Sequence, residues 1–258
     1  MADVTIVGCG NLGSALITGL AAAGGHDVTA YDVDEAALAR VASHVARTTT
    51  DVETAAASDV VLVAVKPDVV GAVLSELDLS PDQTLVTAAA GVSRAYVAAR
   101  TDATVVRIMP NLAAETRDMA TAVAWDDPDE DVREILSDLG SYVEVEEDLM
   151  DAATALNGSG PAFVFYVIQA MTEGAVAEGM AHDDATVLAA QTVKGAAETA
   201  LRSDRSVDDL IDAVCSPNGT TIEGMEVLWD SEFAESMGAA VAAATRRSRE
   251  LAAERADE

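Results

Sequence analysis

Two stretches carry residue types that can do chemistry, and they lie near opposite ends of the chain. Near the start, Gly8-Cys9-Gly10-Asn11-Leu12-Gly13 is a GxGxxG turn, and Asp32 follows a second β-like run. Gly8 suits a tight turn, Gly10 lets backbone approach a pyrophosphate, and Gly13 lets a helix pack closely on a strand. Unpaired N–H groups and a partial positive charge at the start of the next helix favour phosphate. Near the other end, Ser216-Pro217-Asn218-Gly219-Thr220-Thr221 runs into a helix. Here Gly219 is expected to expose an N–H and Asn218 to tolerate positive φ. Thr220 and Thr221 add hydroxyls, and the helix start favours a carboxylate. The same stretch also reads as an ordinary turn with a threonine N-cap.

Titratable catalysts are scarce. His26, His44 and His182 read as solvated surface groups, and no GxSxG, HExxH or paired-carboxylate spacing occurs. Cys9 and Cys215 make neither a disulfide framework nor a Cys/His cluster, so no metal site is expected. Lys66 is one of only two lysines and sits just after an apolar run, where a cofactor would lie. Asn157-Gly158-Ser159-Gly160-Pro161 reads either as a plain helix break or as a backbone wall beside the site.

The elements that must position these residues follow from periodicity. Val4 to Val7 and Asp27 to Tyr31 are strands flanking a helix over Ser14 to Ala23. Val60 to Val65 is wholly apolar, as a strand buried on both faces should be. Thr84 to Thr87 and Thr104 to Ile108 continue the pattern, and Thr121 to Trp125 with Ser141 to Val145 extend the same sheet. The strands end at Lys66-Pro67, Ala90-Gly91 and Pro110-Asn111, and ligands of open parallel sheets lie beyond such carboxyl ends. Ser93 can cap a short helix after Gly91.

After Asp148 no strand is convincing. Pro161 suits the first turn of a long helix to about Met180. Asp183 or Asp184 can cap the next, through Arg202. The 161–180 helix is apolar on more than one face, which calls for burial in a subunit interface. The expected fold class is α/β. A Rossmann-type parallel-sheet domain over residues 1–148 precedes an all-α dimerisation domain over 149–258.

The motif order resembles that of the pyrroline-5-carboxylate reductases. The resemblance rests on the Gly8–Gly13 turn, Ala64-Val65-Lys66-Pro67, Ala89-Ala90-Gly91-Val92, Arg107-Ile108-Met109-Pro110-Asn111, Gly158-Ser159-Gly160-Pro161-Ala162-Phe163 and Val214-Cys215-Ser216-Pro217-Asn218-Gly219-Thr220-Thr221-Ile222. It implies reduction of the ring C=N of 1-pyrroline-5-carboxylate to L-proline by a nicotinamide cofactor. It also implies homodimers, often assembled into larger rings such as a decamer. The cofactor would lie over Gly8, Gly10, Asn11, Leu12 and Gly13, with Ala64, Val65, Lys66, Pro67, Ala90 and Gly91 beside it. The substrate carboxylate would sit among Ser216, Gly219, Thr220 and Thr221. Thr221 matches the family's hydroxyl that hydrogen-bonds the ring nitrogen, the one catalytic role implied.

Asp32 departs from the residues that many members use for the 2′-phosphate of NADPH, so NADH is favoured over NADPH. Rival readings are a reductase of another cyclic imine, a β-hydroxyacid dehydrogenase-like enzyme and a non-catalytic dinucleotide-binding regulator. Lys194 lacks the upstream glycines of the β-hydroxyacid dehydrogenase pattern.

Asp and Glu total 45 against 15 Lys and Arg, a net charge of −30. Such a surface repels nucleic acid and anionic membrane. No apolar run is long enough to span a membrane and no secretory signal is evident, so a soluble, cytoplasmic protein is expected. Acid is spread over most of the chain, which fits adaptation to high salt, where counterions screen the self-repulsion. The fold should therefore loosen in dilute buffer. Thermal melts in low salt and in molar KCl test this, and equal midpoints would contradict it.

Overall fold

The apolar runs of the first half become strands of one sheet, in a computed structural model that describes residues 2–126 and 130–256. The strands are β1 (Asp3–Val7), β2 (Asp27–Tyr31), β3 (Arg47–Thr49), β4 (Val60–Val63), β5 (Thr84–Thr87), β6 (Thr104–Met109), β7 (Met119–Ala124) and β8 (Gly140–Glu144). Their spatial order is β3-β2-β1-β4-β5-β6-β7-β8. Neighbours from β3 to β6 are parallel, β7 runs antiparallel to β6, and β8 is parallel to β7. The link from β6 to β7 is too short for a crossover between parallel strands, which accounts for the reversal. β3 escapes sequence reading because three polar residues at a sheet edge carry no period.

Helices cover both faces: α1 (Asn11–Ala23), α2 (Glu35–Val41), α3 (Val52–Ala55), α4 (Val70–Glu76), α5 (Arg94–Ala98), α6 (Glu130–Leu139) and α7 (Met150–Ala153). One core layer packs Leu16, Ile17 and Leu20 of α1 and Ile135, Leu136 and Leu139 of α6 against Val4, Ile6, Leu62, Val106 and Ile108. The opposite layer packs Val70 and Leu74 against Val7, Val61, Val63, Leu85 and Val105. The β4 residues are all buried, as a central parallel strand requires. Ser93 caps α5 by accepting from Tyr96 N at 3.1 Å, as expected, and Asp34 caps α2 by accepting from Ala36 N at 2.9 Å.

The chain forms two compact units, Met1–Ser159 with Ala242–Glu258, and Gly160–Val241. The second is helical: α8 (Gly160–Ala177), α9 (His182–Arg202), α10 (Val207–Val214), α11 (Thr220–Trp229) and the start of α12 (Phe233–Ala256). Ala181 rather than Asp183 or Asp184 holds the N-cap of α9. The two acids lie in the first turn, where their charge still favours the helix dipole. On α8, Phe165 is 68% exposed and Tyr166 71% exposed, and Val187, Leu188 and Trp229 elsewhere in this unit are exposed as well. A helix apolar on several faces finds too little interior within one chain of this unit.

Gly19 lets α1 approach the turn at Ala114 and α6 closely. A methyl group placed there would sit 2.2 Å from the Ala114 carbonyl oxygen and 2.7 Å from Leu139 Cδ2. Gly19→Ala should therefore cost about 2–3 kcal/mol of stability through overpacking. Urea denaturation checks this, and an unchanged midpoint would show that α1 can shift without penalty.

Candidate active site

The Gly-rich turn follows directly from β1. Gly8 adopts φ +96°, and its N–H donates to Tyr31 O at 2.8 Å, tying the turn to the end of β2. Val65 packs against it, because a methyl group on Gly8 would meet Val65 Cγ1 at 2.7 Å. A methyl group on Gly13 would lie 1.8 Å from the Gly8 carbonyl oxygen, so α1 and β1 touch backbone to backbone. On Gly10 the same group would meet nothing within 4 Å. Gly10 is thus demanded by no packing of the chain itself, and its backbone fronts open space where a ligand can approach. Asn11 is exposed, and Leu12 packs at the edge of the core. No side chain caps α1 and no acid lies in its first turn, which leaves its N–H groups available to an anion.

Asp32 does more than complete a motif. Its Oδ2 accepts from Cys9 N at 2.7 Å and its Oδ1 from Asp34 N at 2.9 Å. It therefore clamps the turn to the start of α2 while lining a cavity of about 320 Å³ with Gly8, Tyr31, Val33, Val65 and Glu76. Glu76 is a second carboxylate there that sequence reading missed, since nothing local links the end of α4 to the end of β2. Burial, then the carboxylates of Glu76, Asp32 and Asp51, raise the Tyr31 hydroxyl above its usual range.

The other loops leave the sheet at the same edge. Strand registers pair Val7 with Val63 and Val63 with Thr87, so β1, β4 and β5 end side by side. Ala64 N donates to Val7 O at 2.8 Å, Lys66 is exposed, and half-buried Pro67 opens a short 3-10 turn. Ala89 to Val92 forms a turn closed by Val92 N donating to Ala89 O at 3.3 Å, with Gly91 at φ +69°. The structure thus gathers Gly8 to Gly13, Asp32, Ala64 to Pro67 and Ala90-Gly91 along one edge.

Sequence reading did not foresee the amide pair at the end of β6. Asn157 does not break the chain's helix but lies in a π-helical turn, Thr154–Gly158. Its Nδ2 donates to Met109 O and to Ala120 O, and Asn111 Nδ2 donates to Asn157 O at 3.2 Å. The stretch is therefore a staple across the ends of β6 and β7. Only its π turn, a feature common near functional sites, hints at more. His26 also departs from expectation: its side chain is buried and Nε2 meets Asp138 Oδ2 at 2.9 Å.

The second candidate stretch lies in the helical unit. Gly219 N donates to Ser216 O at 2.9 Å, and Asn218 takes φ +59°, as expected. Pro217 followed by a left-handed Asn is the residue order of a type II turn. The Gly219 N–H is thus spent inside the turn instead of being exposed. A methyl group on Gly219 would meet Ser216 Oγ at 2.3 Å and Ser216 O at 3.0 Å, so a larger residue there would displace the Ser216 side chain. Gly219 itself is the N-cap of α11, and no side chain caps that helix. The threonine N-cap reading is therefore wrong. The N–H groups of the first turn, beginning at Thr220, lack intrahelical acceptors. Ser216 and Thr220 are exposed, and half-buried Thr221 lines an apolar cavity of about 500 Å³ with Arg205, Leu210, Cys215 and Met225.

Known proteins are similar to this chain in sequence and fold. The family pattern "Pyrroline-5-carboxylate reductase dimerisation" matches residues 147–251, and "NADP oxidoreductase coenzyme F420-dependent" matches residues 3–91. The pyrroline-5-carboxylate reductase of Methanosarcina acetivorans is 40% identical over 262 residues, covering 96% of this chain and 97% of the relative. The solved structure of a pyrroline-5-carboxylate reductase from Coxiella burnetii is 31% identical with a TM-score of 0.86, covering 97% of this chain and 98% of that one. The pyrroline carboxylate reductase of Plasmodium falciparum, solved with NADP bound, is 26% identical with a TM-score of 0.84 over 97% of this chain and 98% of that one.

Cys9 offers a test of the turn. Burial, then the charge of Asp32, push its thiol up to about 12, against a lowering by Arg40. The neutral thiol is thus favoured in the fold. Its contribution is complete below the unfolded value near 9.0 and is lost as pH climbs through about 12. At pH 8 a thiol reagent should modify Cys215 in the native protein and reach Cys9 only after unfolding. Two fast-reacting thiols in the native state would refute the buried turn.

Proposed function

This chain belongs to the pyrroline-5-carboxylate reductase family, and from that premise we propose how its residues carry the reaction. The enzyme reduces the C=N bond of 1-pyrroline-5-carboxylate to L-proline with a nicotinamide cofactor. The observation that carries the substrate reading is the uncapped start of α11 behind the Ser216 to Thr221 turn, with the Thr221 hydroxyl beside it.

A protonated cyclic imine is already electrophilic, so no strong general acid is needed, in keeping with the hydroxyls and N–H groups of the Ser216 to Thr221 turn. When bound, the nicotinamide supplies the hydride. The chain's task is alignment, which by itself can lower a barrier by several kcal/mol. The α11 N–H groups with Ser216 and Thr220 hold the substrate carboxylate. Thr221 Oγ orients the ring nitrogen and passes a proton to or from water.

Gly8, Gly10, Asn11, Leu12 and Gly13 would hold the cofactor, with Ala64, Val65, Lys66, Pro67, Ala90 and Gly91 beside it. We favour NADH. Asp32 can accept from ribose hydroxyls, whereas a 2′-phosphate about 4 Å away would cost on the order of 4 kcal/mol at an effective dielectric of 20. Glu76 on the same cavity adds to that repulsion. The working unit is a homodimer or a larger ring such as a decamer. Residues 149–258 bind substrate and dimerise, and residues 1–148 bind cofactor. Its setting is a high-salt cytoplasm, in keeping with the net charge of −30.

NADH and NADPH oxidation with 1-pyrroline-5-carboxylate in molar salt tests the whole reading. Turnover with a higher kcat/KM for NADH is expected, and a preference for NADPH would overturn the reading of Asp32. Thr221→Ala should lower kcat at least tenfold, roughly 1.4 kcal/mol of transition-state stabilisation. Near-normal turnover in that variant would remove Thr221 from the mechanism.

A further inference from the structure

Among the described residues, none supplies a carboxylate partner to Arg40, a cation beside the Gly-rich turn. It stands on the last turn of α2 and lines a cavity of about 390 Å³ together with Gly10, Asn11, Ser14 and Thr18. Among the described residues of the sheet unit, Arg94, Arg107, Arg117 and Arg133 each pair with a carboxylate, while Arg47 and Arg100 do not, Arg100 lying over the Tyr96 ring away from the Gly-rich turn. Arg40 pairs with none, although Glu115 lines the same cavity. Its Nη1 donates to Ala36 O of its own helix at 3.3 Å, and among the described residues its other N–H groups have no acceptor. Its charge is felt at the turn, where it opposes the effect of Asp32 on the Cys9 thiol.

A dinucleotide brings a doubly charged pyrophosphate to this place. The chain already sets Asp32 and Glu76 on the neighbouring cavity. The start of α1 offsets only about half an elementary charge. An arginine fork suits phosphate oxygens and adds a full charge that no pH change removes. We propose that Arg40 is a cofactor-binding residue whose guanidinium holds a pyrophosphate oxygen in the cavity it shares with Gly10 and Asn11 at the start of α1.

This rests on the placement of the dinucleotide at the Gly8 to Gly13 turn, and the test separates the two. A purely structural Arg40, serving the dipole at the end of α2, would affect stability but not cofactor affinity. Native enzyme, Arg40→Gln and Arg40→Lys are compared at the lowest salt that keeps the fold. ADP-ribose binding is read by calorimetry and the KM values by kinetics. Arg40→Gln should weaken ADP-ribose binding and raise KM for NADH and NADPH alike by about tenfold, with the loss in KM rather than kcat. Arg40→Lys should recover much of it. Unchanged constants in Arg40→Gln would overturn the proposal, as would a rise confined to NADPH, which would put Arg40 at the 2′-phosphate. Failure of the native enzyme to bind ADP-ribose would instead remove the dinucleotide from the turn.

Discussion

The closeness of α1 to β1 is the constraint on which the sheet unit depends. The Gly13 Cα lies so near the Gly8 carbonyl that no side chain fits between them. That contact fixes where the helix begins, and hence where its free N–H groups point. It also sets the height at which Leu16, Ile17 and Leu20 meet the sheet, and so the packing of α6 behind them. Gly8 and Gly13 serve this geometry, whereas Gly10 serves whatever approaches it. The three glycines of one motif therefore have two kinds of reason, one internal and one facing outward.

Asp32 shows the same double duty in a charged residue. Two backbone N–H groups already hold its carboxylate, and they fix its direction before any ligand arrives. A carboxylate has about four acceptor directions, so capacity remains for ribose hydroxyls. A preoriented acceptor spends little entropy on binding, which suits a protein whose catalytic contribution is alignment.

Much of this was legible in the residues because the signals are local. Apolar period, glycine spacing and the Ser93 cap are each decided within a few residues. The missing parts are decided at a distance. The reversal of β7 depends on the length of a link, the burial of His26 on an aspartate in α6, and the amide staple of Asn157 on carbonyls of two strands. At the Ser216 to Thr221 turn, the position of Asn218 was readable, but the fate of the Gly219 N–H was not, since its acceptor is set by how the turn closes. Glu76 joins Asp32 only because α4 and β2 end beside one cavity.

The apolar side chains left outside on α8, α9 and α11 bear on how the molecule comes to be stable at all. A unit that buries little but alanine and threonine in its own long helices gains few of its kcal/mol from within. The match of residues 147–251 to a dimerisation family fits a unit that a second chain completes. Where folding and association are one equilibrium, the midpoint of unfolding rises with protein concentration. For such a chain, dilution is itself a denaturing condition.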